Sequence, residues 1–299
     1  MGMPYVLARS PDGQLRAFHN VCRHHAAAVA SGNGSQDCFT CPYHGWTYGL
    51  DGRLRRAPHM RGVENFQAAD YGLKQIQMEI WGHFVFLNFD SNGSVTFDAQ
   101  LGLEGLQAME AAGITDDHLV HVASRAYSLQ CNWKVFCDNY LDGGYHVSVA
   151  HPELAAGLDL PSYRSTIYES CSIQSCQPNS AAEARLGERE AAYAFVYPNL
   201  MINRYGPWMD TNVVLPDGPN RCTVHFEYWL EESLVHNSSL IEASLAGSDQ
   251  VQQEDINLCE AVQRGLQSRA YDTGRYAPAL EQPMFHFHKL LHTDLMRPL

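Results

Sequence analysis

Residues 22–46 constrain this chain more than any other segment. Cys22-Arg23-His24 is followed, after residues 25–40, by Cys41-Pro42-Tyr43-His44-Gly45-Trp46. Each short loop offers one thiolate and one imidazole, and both loops fall at expected hairpin tips. Two Cys and two His could hold a structural zinc. A [2Fe-2S] centre of the Rieske type also needs this set, with two Cys on one iron and two His on the other. The pairing of one Cys with one His in each loop, with Gly45-Trp46 behind the second, favours the cluster. Cys38 and His25 lie close by and are assigned no role.

The chain has 299 residues, 15 His and 9 Cys. Nine Cys cannot all pair, and a chain this long has no need of disulfide staples, so a reducing compartment is expected. With 20 Lys plus Arg against 33 Asp plus Glu, the net charge is -13, which excludes a general nucleic-acid binder. No apolar run approaches a membrane span. The first residues carry no signal peptide, and they lack the lead of a transit peptide.

Along the chain, Tyr5–Arg9, Leu15–Asn20, Trp46–Leu50 and Phe84–Phe89 read as strands, with Pro11-Asp12-Gly13 and Asp51-Gly52 as turns. Asp90-Ser91-Asn92-Gly93-Ser94 is the expected linker. Beyond it, His118–Leu129 reads as a strand, and Ala192–Ile202 and Val213–Leu230 as strand-rich, with Pro216-Asp217-Gly218 as a turn. Cys131–His151 reads as a helix interrupted at Gly143-Gly144, and Ser239–Gln267 as a second helix. The expected fold is α+β: an all-β domain over residues 1–92, then an α+β domain over residues 93–299.

A second constellation lies in the larger domain. His146 and His151 are about 140° apart on an ideal helix, too far for one face. Pro152 pushes His151 out of the helical region, free to swing toward His146. Two neutral imidazoles suit a ferrous ion, and a carboxylate would complete the facial triad of non-haem iron oxygenases. Asp255 falls on the apolar stripe of Val251, Leu258, Val262 and Leu266, where an unpaired carboxylate is costly. Glu254, Glu260 and Asp249 lie off that stripe and are expected to be solvated. The alternatives are a buried ion pair with an Arg for Asp255, and hydrogen-bonded core imidazoles for the two His.

These segments resemble the catalytic subunit of the Rieske non-haem iron oxygenases, most like the choline monooxygenase branch of plants and algae. The two Cys/His loops carry the resemblance, together with residues 132–142, 193–199 and 254–266, and the tail Gly274-Arg275-Tyr276 and His286-Phe287-His288. It implies a Rieske domain, short at its N-terminus here, followed by a helix-grip (START-like) catalytic domain. It implies a [2Fe-2S] cluster on Cys22, His24, Cys41 and His44, and mononuclear Fe(II) on His146, His151 and Asp255. It also implies a homotrimer in which one subunit's cluster feeds the next subunit's iron past an acid. The wider family places that acid three residues before the first His, where this chain has Gly143, so Asp142 takes the role.

No nucleotide motif is present, so electrons are expected from a ferredoxin. The expected reaction is hydroxylation by O2 of choline, or a related quaternary ammonium compound, to betaine aldehyde hydrate in glycine betaine synthesis. Tyr193, Phe195, Tyr197, Tyr205 and Trp208 are candidates for a cage around the trimethylammonium head. The competing readings are an oxygenase or N-demethylase on another substrate, and a truncated non-catalytic variant. The resemblance places the protein in the chloroplast stroma, with the cytoplasm as the alternative.

Overall fold

The structure is a computed structural model that describes residues 2–90, 95–179, 186–187 and 189–297. The chain forms two compact units, Met1–Phe97 and Asp98–Leu299. Residues 91–94 of the expected linker, and with them the expected domain boundary, lie outside the described residues.

The first unit is all-β. β1 (Tyr5–Arg9), β2 (Leu15–His19), β6 (Gln75–Trp81) and β7 (Phe84–Asn88) form one antiparallel sheet in that order. β3 (Cys38–Thr40), β4 (Thr47–Gly49) and β5 (Leu54–Arg56) form a second. The β1–β2 turn closes with Gly13 donating to the Ser10 carbonyl (2.9 Å), and Gly13 adopts φ 82°. Only glycine takes that conformation freely. The buried core contains Phe18, Val29, Phe39, Trp46 and Tyr48, and it also takes in Cys22 and Cys41.

The second unit opens with α1 (Phe97–Leu101) and α2 (Leu103–Ala111). Its centre is a seven-stranded antiparallel sheet built from β8 (Leu119–Leu129), β9 (Leu158–Ile167), β10 (Cys171–Pro178), β11 (Ala191–Val196), β12 (Leu200–Tyr205), β13 (Trp208–Pro216) and β14 (Cys222–Glu231). The sheet order is β8-β14-β13-β12-β11-β10-β9, so the first strand joins the last and the rest meander. β14 shows the period of a half-buried strand, with Cys222, Val224, Phe226, Tyr228 and Leu230 buried. The strand-rich stretch expected over Ala192–Ile202 is two strands, β11 and the start of β12, because Pro198 cannot donate to a ladder and the chain turns there.

The helices are α3 (Trp133–Tyr140), α4 (Val147–Ala150), α5 (Pro152–Ala156), α6 (Ser238–Leu266) and α7 (Gln282–Leu295). Asn132 and Asn237 cap α3 and α6, their side chains accepting from Lys134 and Leu240 backbone N–H groups (both 3.1 Å). The expected helix over Cys131–His151 stops at Tyr140, because Gly143 and Gly144 turn the chain through φ 72° and 75°.

One expectation fails on α6. Leu258, Val262 and Leu266 are exposed, not core-facing, and the buried face carries Ser244, Ser248, Gln252, Cys259 and Gln263. Asp255 is turned inward on the edge of this polar face. Its inward direction follows from hydrogen-bonding partners rather than from an apolar stripe.

Candidate active site

In the first unit, the two ligand loops are tight turns. Ala26 donates to the Cys22 carbonyl (2.9 Å) and Gly45 to the Cys41 carbonyl (3.0 Å), with Gly45 at φ 72°. Both Cys are buried, His24 is partly exposed and His44 is exposed. The rings of His24 and His44 lie 4.7 Å apart, and His24 stacks on Trp46 at 4.9 Å. The Tyr48 hydroxyl accepts the Arg23 N–H (2.9 Å) and donates to Cys22 Sγ (3.3 Å). Burial raises the Cys22 thiol, but Tyr48 and the backbone of His24 and His25 more than offset it, so the thiol sits below its ordinary value. His24 is pushed down by its surroundings and by His25 and His44. Its Nδ1 is buried without a hydrogen-bond partner. A favoured thiolate and an unpaired imidazole nitrogen fit a two-iron cluster with sulfur ligands on one side and nitrogen ligands on the other.

In the second unit, His146, His151 and Asp255 each offer one ligand atom, and these atoms all lie within 4.8 Å of one another. His151 stands between α4 and α5 at φ -125°, outside both helices. Its Nε2 is 3.1 Å from His146 Nε2 and 3.1 Å from Asp255 Oδ1. His146 Nδ1 donates to Asp142 Oδ2 (2.5 Å), and His151 Nδ1 donates to Glu254 Oε2 (2.6 Å). A carboxylate only accepts, so both rings carry the Nδ1 proton and turn their Nε2 lone pairs toward one point. Asn139 Nδ2 donates to Asp255 Oδ1 (2.6 Å).

Burial lowers His146, but Asp142 and Asp255 override it and raise its pKa to about 9. His151 is raised by Asp255 and Glu254 against its burial, and the two imidazoles hold Asp255 below the usual carboxylate range against its own. Surplus anion around two imidazoles is the signature of a place built for a cation, and a metal binding there displaces the protons. No Arg pairs with Asp255 among the described residues.

Glu254, expected in solvent, instead holds His151. Asp249 accepts from the Tyr127 hydroxyl (2.8 Å) and Glu260 from the Gln130 N–H (2.9 Å). All three lie off the apolar stripe, and that stripe is not the buried face.

Position 143 has no room for an acidic side chain. A Cβ there would stand 2.1 Å from the Leu280 carbonyl oxygen, and one on Gly144 would stand 2.7 Å from the Tyr163 ring. No side chain fits at position 143. Asp142 is buried one residue earlier and accepts the Tyr145 and His146 N–H groups (3.1 and 3.0 Å).

A cavity of about 150 Å³ opens on these residues, comparable to one that accepts benzene. Of the five aromatics expected around a substrate, Tyr193 and Tyr205 line it; Phe195, Tyr197 and Trp208 do not. Phe195 and Tyr197 instead pack on Phe287. Tyr140, Tyr163 and Phe226 take their place, together with Asp210 and Gln252, none of which the strand pattern singled out.

Residues 116–295 match the family model for the ring hydroxylating alpha subunit (catalytic domain), and residues 1–67 match that of the Rieske [2Fe-2S] domain. The chain belongs to the Rieske non-haem iron oxygenases. The family carries a [2Fe-2S] cluster and a mononuclear iron, and the donor sets of the two units fit them. This Rieske oxygenase is 52% identical over 302 residues to a protein named choline monooxygenase, chloroplastic, of Arabidopsis thaliana, covering 97% of the chain and 71% of the relative. It is 42% identical over 297 residues to the Beta vulgaris protein of that name, covering 97% and 66%. It therefore spans about two thirds of their length. Among solved structures it is similar to a quaternary ammonium Rieske monooxygenase described as revealing carnitine oxidation and inter-subunit electron transfer. That match has a TM-score of 0.82 and 27% identity, and covers 98% of this chain and 82% of the other.

Proposed function

We propose that this Rieske oxygenase is a monooxygenase of quaternary ammonium compounds whose substrate is choline. One oxygen atom of O2 enters the alcohol carbon, giving betaine aldehyde hydrate. The other leaves as water with two electrons and two protons. The observation that carries the choice of substrate is the charge of the cavity. Among the described residues, its lining includes Asp142, Asp210 and Asp255 and no Lys or Arg. Choline is a cation without a carboxylate. Carnitine carries a carboxylate that such a wall would repel.

Cys22, Cys41, His24 and His44 would hold the cluster, and His146, His151 and Asp255 the iron. When bound, the cluster supplies single electrons and the iron supplies oxygen activation for hydroxylation of a C–H bond. Asp142 and Glu254 keep the Nδ1 protons on His146 and His151, so that both Nε2 atoms stay basic toward the metal. The apolar and aromatic walls, Phe136, Leu154, Leu158 and Phe226 among them, exclude water from the reacting carbon. In the trimer that the resemblance implies, Asp142 links each iron site to the neighbouring subunit's cluster. The electron donor is a ferredoxin, the site of action is the chloroplast stroma, and the product enters glycine betaine synthesis.

Purified holoenzyme supplied with O2, reduced ferredoxin and choline is expected to form betaine aldehyde, and His146→Ala to abolish it. Coupled turnover of an aromatic substrate with no turnover of choline would overturn the proposal.

A further inference from the structure

Among the described residues, five side-chain amides line the cavity beside His146, His151 and Asp255, and four of them are committed to the protein. Asn139 donates to Asp255 Oδ1 (2.6 Å) and Gln174 to the Tyr140 carbonyl (2.8 Å). Asn203 and Asn212 both donate to Asp210 Oδ1 (2.7 and 2.9 Å). The fifth, Gln252, differs. It stands inside α6 and is 3% exposed, and its Nε2 is buried with no hydrogen-bond partner among the described residues. Ser248, one turn earlier on the same face, is already hydrogen-bonded to the Tyr228 hydroxyl (3.0 Å). A buried amide left unpaired is costly and rare in a folded chain, which marks Gln252 as a donor kept for something that enters the cavity.

We infer that Gln252 selects the oxygen-bearing end of the substrate, its Nε2 donating to the substrate hydroxyl. The inference rests on the choline reading and adds the contact that tells choline from a quaternary ammonium without an oxygen. One neutral amide suits a neutral hydroxyl, because the hydrogen bond forms without stranding a charge. A cation of similar size that lacks the oxygen leaves the amide unpaired, and a site built to bond a hydroxyl discriminates against such an analogue. The contact also sets the orientation. Gln252 precedes Asp255 by three residues, about 4.5 Å along α6, and both side chains line the cavity. A hydroxyl held at Gln252 keeps the alcohol carbon, the one that reacts, on the side of the cavity that carries Asp255. The methyl groups then occupy the far end of the two-carbon arm.

Calorimetry on the holoenzyme with choline and ethyltrimethylammonium, which differ only in the hydroxyl, reads the contact. The wild type is expected to bind choline about tenfold more tightly. Gln252→Met keeps the length of the side chain and removes its donor. It should weaken choline about tenfold and spare ethyltrimethylammonium, which erases the preference. A wild type that binds both cations alike, or a variant that weakens both equally or neither, overturns the Gln252 assignment and leaves the quaternary ammonium reading standing. If the wild type binds neither cation, that reading fails and the assignment with it.

Should Gln252→Met lose its cluster spectrum, crystals of the wild-type holoenzyme with arsenocholine decide instead, because the anomalous arsenic peak marks the cationic end. A hydroxyl within about 3.2 Å of the Gln252 amide supports the assignment. A hydroxyl bonded elsewhere overturns it.

Discussion

In the N-terminal unit His24 lies flat on Trp46 with its buried Nδ1 unpaired, whereas in the C-terminal unit both imidazoles have Nδ1 tied to a carboxylate. The first arrangement fixes a ring by packing and leaves Nδ1 as the donor atom. The second fixes it by hydrogen bonds and leaves Nε2. The difference follows from what each metal needs. A cluster whose histidine ligands replace thiolates must keep its charge low and its potential high, and added carboxylates would work against both. A ferrous ion that must stay bound with open positions gains from anions that make its imidazoles more basic. Removing groups of each kind tests the contrast.

The largest effect is expected from His146→Ala. The protein should lose its mononuclear iron and its turnover while keeping the visible spectrum of the cluster, since the two centres are built in separate units. Iron analysis with an absorption spectrum checks this. Loss of the cluster colour as well would mean that the centres are not independent.

Glu254→Gln comes next. The amide can still orient His151 but no longer raises its basicity, so affinity for the mononuclear iron should fall about 10–100-fold. Titration of iron-depleted protein with ferrous ion measures it. Affinity within twofold of the wild type would place Glu254 among ordinary surface carboxylates and weaken the contrast.

The same contrast explains what could be read from the chain. The two Cys/His loops expected to hold the cluster were legible because they lie within residues 22–46, where spacing alone encodes two tight turns. The imidazole pair was legible because Pro152 forces His151 out of the helix. Asp255 was found on a mistaken premise, for Leu258, Val262 and Leu266 face outward and Ser248, Gln252 and Cys259 face inward. Hydropathy reports the buried face of a helix only when the layer beneath is apolar. Here the inward face of α6 carries Ser244, Ser248, Gln252 and Gln263, so Glu254 and Gln252 gave no periodic signal. Asp210 on β13 and Gln252 on α6 meet at one cavity only once the chain is folded, from positions distant in sequence. The α+β class and most strands were legible from alternation and turn residues. The split of β11 from β12 was carried by Pro198, which strand-richness alone does not resolve.

A smaller effect is expected on the other side of the comparison. Tyr48→Phe removes the hydroxyl that is hydrogen-bonded to Cys22 Sγ. An ordinary hydrogen bond contributes about 1 kcal/mol, which for a one-electron couple corresponds to about 40 mV. The midpoint potential of the cluster should therefore drop by about that amount, with iron content unchanged. A potentiometric titration that finds no change would show that packing alone tunes the N-terminal centre.

The smallest effect tests whether hydrogen-bonded imidazoles in the C-terminal unit always serve metal. His288 on α7 has the same dress without a second imidazole. Its Nε2 donates to Asp138 Oδ1 (2.8 Å), and its Nδ1 meets the Tyr276 hydroxyl (2.6 Å). Asp138 raises the His288 pKa above 6.5, against the burial of the ring. A raised folded value means that the protonated imidazole favours the folded state. That contribution is fully present below about pH 6.5 and fades as the pH rises through the folded value. Both side chains are about one-third exposed, so solvent screening limits the pair to about 1 kcal/mol or less. His288→Gln should therefore destabilise the protein in urea by up to that amount at pH 6 and by less at pH 9. Equal losses at both pH values would assign His288 to packing against Tyr276, and a loss of mononuclear iron would make it part of the metal site after all.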